Sequence, residues 1–218
     1  MSKVMPTRKN AYEYPYQNSH PDHHHTYLIK PLIKLLADQK QPNPNQDTLR
    51  VLDLGCGNGS LSHLISQQGY EVVGVDESSS GIKFACLSYP HCHFIQASIY
   101  NLPYKELSSS FDIVISCEVI EHLLYPKELI RSAKKCLKPK GQLIITTPYH
   151  GYIKNLTLAV LGKLDQHFTV LWDGGHIKFF SVATLTKMLE EQGFKEIRFK
   201  FAGRLPYLWK SMICYCQN

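Results

Sequence analysis

"VLDLGCGNGSLS", Val51 to Ser62, decides how this chain folds. It opens as a short apolar strand carrying one aspartate, Asp53, and runs into Gly55, Gly57 and Gly59 before a helical pattern, "SLSHLISQQ", begins. Glycine lets a backbone turn sharply and approach a ligand closely, because no Cβ intervenes. A dinucleotide fingerprint G-x-G-x-x-G would need glycine at position 60, where Ser60 stands. No G-K-[ST] follows either, which excludes a phosphate-cradling P-loop. The next strand, "YEVVGVD" (Tyr70 to Asp76), ends on an acid 21 residues beyond Gly55. That placement suits a carboxylate accepting hydrogen bonds from both hydroxyls of a ribose. The plainer alternative is a tight turn with Asp76 capping the following helix.

Outward from this unit the rhythm of strand and helix repeats. "SSGIKFACLSY" reads as a helix, "CHFIQA" as a strand, "FDIVIS" (Phe111 to Ser116) as another, and "PKELIRSAKKCL" as a helix. "GQLIITTP" (Gly141 to Pro148) is the fifth strand, preceded by a turn, "KPKG". Apolar strands alternating with amphipathic helices predict an α/β, doubly wound sheet, mostly parallel and covered on both faces. Ligands of such sheets sit beyond the carboxyl ends of the strands.

Two segments break the rhythm. Residues 1–25 are rich in Tyr, His, Asn and Pro and lead into the helix "TYLIKPLIKLLADQ". Residues 149–180 are a mixed insertion before the helix "SVATLTKMLEEQ". The domain expected over 26–218 therefore carries an N-terminal arm and an insertion, both placed to close over the ligand edge as lids. His23, His24 and His25 form a polar cluster in that arm. His150, His167, Tyr149, Phe168, Trp172, Phe179 and Phe180 either wall a substrate pocket or simply pack the insertion. "LPYLWKSMICY" reads as a terminal strand and its approach, with basic and aromatic residues also suited to peripheral membrane contact.

Composition narrows the class. A chain of 218 residues, 44% hydrophobic and 19% charged, is globular and long enough for one core with additions. The net charge of +6 is dispersed, so it permits an anionic partner without demanding one. No apolar stretch approaches the roughly eighteen residues of a membrane span, and the first residues lack the apolar core of a signal peptide. Seven scattered cysteines are an odd number and fit a reduced, cytoplasmic chain. Cys214 and Cys216 read as alternation along a terminal strand.

The motifs "VLDLGCGNG", "VVGVDES", "FIQASIYNLPY", "FDIVISCEVIEHL" and "LKPKGQLIITTP", in this order, resemble the class I S-adenosylmethionine-dependent methyltransferases, from about Leu28 onward. The resemblance implies a Rossmann-like sheet of seven strands in the order 3-2-1-4-5-7-6, the last antiparallel. It implies S-adenosylmethionine as cofactor, with Gly55, Gly57 and Gly59 around the methionine part and Asp76 on the ribose. Asp53, Ser98, Ile99 and Cys117 complete the implied cofactor site. Ser98 departs from the pattern, since related sequences place an aspartate there against the adenine amine. A serine oxygen still accepts that bond, as a weaker neutral partner.

"CEVIEHL", Cys117 to Leu123, together with "WDGGHIKFFS", looks most like the ubiquinone-biosynthesis O-methyltransferase branch. The small-RNA 3′-end 2′-O-methyltransferases carry a similar E-x-x-E-H. In both groups these residues are associated with a divalent metal, which transfers to Glu118, Glu121 and His122, with His176 as a downstream fourth. At i, i+3 and i+4 they would share one helical face, and two carboxylates with imidazole suit Mg²⁺, Mn²⁺ or Zn²⁺. The alternative is a helix N-terminus whose dipole favours glutamate, with His122 packed. Glu121 and His122 are the candidate catalytic residues, His122 as general base if no metal is bound. The expected activity is O-methylation of a small phenol or quinone precursor. RNA-end 2′-O-methylation and a non-catalytic cofactor-binding protein are the alternatives, and the first of these would call for a dedicated basic surface.

Overall fold

The computed structural model describes residues 14–20, 25–38, 48–168 and 170–218. His23 and His24, the side chain of His25, and most of the N-terminal arm lie outside the described residues. In chain order the elements are α1 (His25–Ala37), β1 (Arg50–Leu54), α2 (Ser60–Ser66), β2 (Glu71–Asp76), α3 (Ser79–Ser88) and β3 (His93–Gln96). There follow α4 (Tyr104–Leu107), β4 (Phe111–Cys117), a single 3₁₀ turn (Ile120–His122), α5 (Pro126–Cys136) and β5 (Leu137–Pro148). The chain then forms α6 (Tyr152–Val160), α7 (Leu164–Phe168), α8 (Val182–Glu191), β6 (Lys195–Ala202) and β7 (Ser211–Gln217).

The seven strands form one sheet in the order β3-β2-β1-β4-β5-β7-β6, with β7 antiparallel to both its neighbours. The expected order therefore holds. The central strands are apolar on both faces because both are covered, and the period of two sorts their side chains. Val51, Val72, Ile113, Ile115 and Ile144 meet Leu28, Leu32 and Leu36 of α1 and Leu61 and Ile65 of α2. Leu52, Leu54, Val114, Leu143 and Ile145 meet Leu129, Ile130 and Ala133 of α5 and Leu185 and Leu189 of α8. α5 begins with Pro126 at its first turn, where a missing N–H costs nothing, and carries Lys134 and Lys135 at its negative end. α8 begins with a capping box between Ser181 and Thr184. Among the described residues, no helix is long and apolar enough to cross a membrane.

Two local expectations need correction, and one strand adds to them. "KPKG" does not precede β5 but lies within it as a bulge. Leu137 pairs with Phe111 and Gln142 already with Ile113, and Lys140 takes φ +64° in the extra length. "CEVIEHL" is not a helical face. Glu118 has φ +53°, which no α-helix tolerates, and helical geometry is limited to the turn at Ile120–His122. The backbone N–H of Glu118 donates to both the carbonyl (3.1 Å) and the hydroxyl (3.0 Å) of Thr146 on β5, which holds that conformation. Glu118 is consequently not part of the group formed by Glu121, His122 and His176. Finally, β6 was not read from the residues: it is an edge strand, mostly half-exposed, and its apolar signal is diluted by Lys and Arg.

Candidate functional site

The carboxyl ends of β1, β2, β3 and β4 open onto one cavity of about 1070 Å³. At its floor, Gly55 takes φ +83°, and a Cβ there would lie 2.4 Å from Cγ2 of Val119. Gly57 takes φ +53°, and a Cβ there would lie 2.2 Å from the hydroxyl of Tyr16. Both positions thus need glycine for conformation and for space. Gly55 lines the cavity with Cys56 and Asn58, whereas Gly57 lies under Tyr16 and Gly59 is the N-cap of α2.

Asp76, at the tip of β2, lines the same cavity and is oriented by the loop beside it. Its Oδ2 accepts from the N–H of Gly57 at 2.8 Å and its Oδ1 from the N–H of Ser78 at 2.7 Å. Burial nevertheless raises its pKa. The expected cofactor residues Ser98, Ile99 and Cys117 line the cavity too, as do Glu77 and Tyr100.

A strap from the N-terminal arm covers the loop. The carbonyl of Tyr14 accepts from the hydroxyl of Ser78, and the N–H of Tyr16 donates to Ser80 Oγ at 3.1 Å. Asn58 Nδ2 donates to the carbonyls of Asn18 and His20, and the hydroxyl of Tyr89 to that of Ser19. Sequence reasoning missed Tyr14 and Tyr16, which line the cavity, since no periodicity marks such a segment. The insertion closes the other side with Trp172, Gly174, Gly175, His176 and Ile177. It is tied down by the carbonyl of Glu121, which accepts from the N–H groups of Ile177 (2.9 Å) and Lys178 (3.0 Å).

The expected ligand set divides. Glu118 is held by Thr146, whose hydroxyl donates to Oε1 at 2.8 Å, and by Ser211, which donates to Oε2 at 3.2 Å. Ser211 in turn lies 3.1 Å from the hydroxyl of Tyr27. Burial pushes Glu118 up to about 7 and Tyr27 up to about 12. Glu121, His122 and His176 come together instead, with one ligand atom from each all within 4.8 Å of one another. Glu121 is fully buried, and among the described residues neither carboxylate oxygen has a partner in good hydrogen-bond geometry, the Thr147 hydroxyl standing close by. Burial, with Glu118 beside it, drives its pKa well up. His122 Nδ1 donates to the carbonyl of Gly174 at 2.8 Å, which leaves the lone pair of the neutral ring on Nε2. Burial lowers the pKa of this ring. The ring of His176 meets it edge-on at 4.8 Å.

Of the aromatic and histidine residues of the insertion, Trp172 and His176 reach the cavity, and His150, His167, Phe168 and Phe179 do not. Those four pack on one another, with Phe168 and Phe179 centroids 4.9 Å apart, while Phe180 joins the core and Tyr149 packs on Phe201 and Trp209. Burial, with Lys154 nearby, pushes His150 down to about 4, and burial pushes Lys154 itself down to about 8.

A family model described as a methyltransferase domain matches residues 22–198. A ubiquinone biosynthesis O-methyltransferase from Dinoroseobacter shibae is 30% identical over 172 residues, 73% of this chain and 65% of that protein. The chain thus spans just under two thirds of that relative's length. Among solved structures, magnesium protoporphyrin IX methyltransferase from Synechocystis, with bound SAH, superposes with a TM-score of 0.62 at 26% identity, covering 90% of this chain and 83% of that one. A Pyrococcus horikoshii protein reaches 0.69 at 21% identity over 93% and 94% of the two chains, a likeness of fold.

Asp53, also expected at the cofactor, lines the cavity as well and turns one oxygen to Ser62 of α2. Its Oδ2 accepts from the hydroxyl of Ser62 at 2.7 Å, and its Oδ1 has no partner among the described residues. Burial raises it from 3.8 to about 7. A folded-state pKa above the unfolded one favours folding at low pH, and that contribution is lost as pH rises from about 4 towards 7. Asp53→Asn removes the titration. The ligand-free variant is therefore expected to be more stable than the parent at pH 8, by roughly 2–4 kcal/mol, with the difference vanishing near pH 4. Thermal melts across that range check it, and equal melts at pH 8 would contradict it.

Proposed function

Because the chain belongs to the methyltransferase domain family, we propose that it transfers the methyl group of S-adenosylmethionine to an oxygen of a small acceptor of the phenol or quinone-precursor type. One observation carries this reading: a single cavity joins the glycine loop and Asp76 at one end to Glu118, His122 and Trp172 at the other. Donor and acceptor can then share one space. The name of the D. shibae relative and the SAH bound to the Synechocystis enzyme support the donor and the type of acceptor.

In this reading Asp76 accepts from the ribose hydroxyls, and the glycine loop lets the methionine part lie against the backbone. The sulfonium methyl is already activated, so the protein's task is to align the acceptor oxygen with the S–CH₃ bond and to keep water out. The strap at residues 14–20 and the insertion at 149–180 serve as lids for that purpose. His122 is fixed in one tautomer by Gly174 and takes the acceptor's proton at Nε2 when no ion is present.

The same corner fits a divalent ion. A buried carboxylate without a hydrogen bond of good geometry among the described residues, next to two imidazoles, is a donor set that a cation would satisfy. Glu121, His122 and His176 would hold it, and Glu118, engaged by Thr146 and Ser211, would stand beside them. Such an ion supplies Lewis acidity that lowers the pKa of an acceptor hydroxyl.

Three outcomes follow. Asp76→Ala should weaken binding of S-adenosylmethionine by about 1.5–3 kcal/mol per charged hydrogen bond lost, read by titration calorimetry. A parent that does not bind the donor, or a variant that binds it unchanged, removes the reading. Chelation should abolish methyl transfer to a catechol, with Mg²⁺, Mn²⁺ or Zn²⁺ restoring it. Glu121→Gln and His176→Ala should lose that transfer at nearly unchanged donor affinity. If chelation has no effect but His122→Ala is inactive, the base stands without the ion. In limited proteolysis, bound SAH should slow cleavage within 1–25 and 149–180, and equal rates with and without it dismiss the lids.

A further inference from the structure

Ser98 stands at the end of the cavity beyond Asp76 as a neutral hydroxyl, and its one proton is already committed. It donates to Oε2 of Glu77 at 3.2 Å. Glu77 directly follows Asp76, and its main-chain carbonyl accepts from Gln96 Nε2 at 3.3 Å. β2 and β3 run parallel with Asp76 opposite Gln96, so the two strand tips lie side by side. Glu77, Gln96, Ser98, Ile99 and Tyr100 line the space past Asp76. A nucleoside whose ribose hydroxyls bond Asp76 must project its base into that space.

We infer that Glu77 is the acceptor for the exocyclic amine of adenine, oriented by Ser98, and that this pair selects a 6-amino over a 6-oxo purine. A carboxylate offers about four lone-pair positions on two oxygens, and Ser98 takes one of them. A charged acceptor binds an N–H about twice as strongly as a neutral one, so Glu77 outcompetes the hydroxyl of Ser98 for the amine. Buried Ile99 gives the ring an apolar edge. A 6-oxo purine presents an acceptor where the amine donated and moves its nearest donor to N1, one ring position away, so the bond that Glu77 makes to the amine is lost in the same pose. Glu77 is exposed, so water can take up a carboxylate left without the amine, and the preference amounts to the one charge-assisted hydrogen bond lost.

The inference rests on S-adenosylmethionine being the donor, and titration calorimetry with two probes separates the two. The probes are SAH and S-inosylhomocysteine, which differ by replacement of the 6-amino group with a carbonyl and by the proton this places on N1. The parent chain should bind S-inosylhomocysteine at least about tenfold more weakly. Glu77→Gln, whose amide can donate to a carbonyl, should bring the two affinities within about twofold of each other. Asp76→Ala should weaken both probes by the same factor and leave their ratio intact. Ser98→Asp added to Glu77→Ala should restore the preference for SAH. Glu77 is exposed, so its variants should keep the parent's melting temperature. A ratio unchanged in Glu77→Gln, or a parent that does not discriminate, overturns the role of Glu77 while leaving the donor assignment standing. A parent that binds neither probe overturns both.

Discussion

Parallel pairing of β1 with β2 on one side and β4 on the other is the constraint on which this site depends. Asp53 lies opposite Gly74 on β2 and Ile115 on β4. That register brings the glycine loop, Asp76 and the Cys117–Glu118 corner out at the same edge. Parallel strands all end in one direction, so every loop that follows a strand's carboxyl end opens there. A one-residue slip of β4 would turn Ile113 and Ile115 from the α1–α2 face to the other and carry Glu118 with them. The two apolar layers that clamp the sheet therefore also aim the polar groups of the cavity.

Those polar groups sit in an environment that opposes their charge. Glu118, Asp53 and Asp76 in the cavity and Glu121 beside it are all raised by burial, and His122 is lowered by it. Buried groups are costly unless hydrogen-bonded or paired. Glu118 is compensated by two hydroxyls and Asp76 by two N–H groups, whereas among the described residues neither oxygen of Glu121 makes a hydrogen bond of good geometry. Shifted groups gathered around one cleft are the pattern expected of a functional site, and they support the reaction proposed for this cavity.

Much of this was legible in the residues. The strand rhythm follows from hydrophobic patterning, and the glycine loop with Asp76 follows from spacing, because both are short-range features. β6 was invisible because an edge strand need not be apolar on both faces. The bulge at "KPKG" looked like a turn because Pro and Gly mark turns and bulges alike. "CEVIEHL" looked like a helix because its spacing fits one. A contact from Thr146, 28 residues later, imposes instead a left-handed residue that no local pattern announces.

The sequence by itself determined a doubly wound α/β sheet, the place of its ligand edge, and the acidic and glycine residues lining it. Local periodicity and glycine chemistry act within a few residues, so they can be read along the chain. Only the tertiary structure decided which residues meet across elements. It left Glu118 out of the group of Glu121 and His122, joined His122 to His176 across 54 positions, and laid Tyr16 over Gly57. It also took His150, His167 and Phe168 out of the cavity and packed them together. Those contacts are set by strand register and by how the strap and insertion dock. Both depend on packing between segments far apart in the chain, which composition and spacing do not encode.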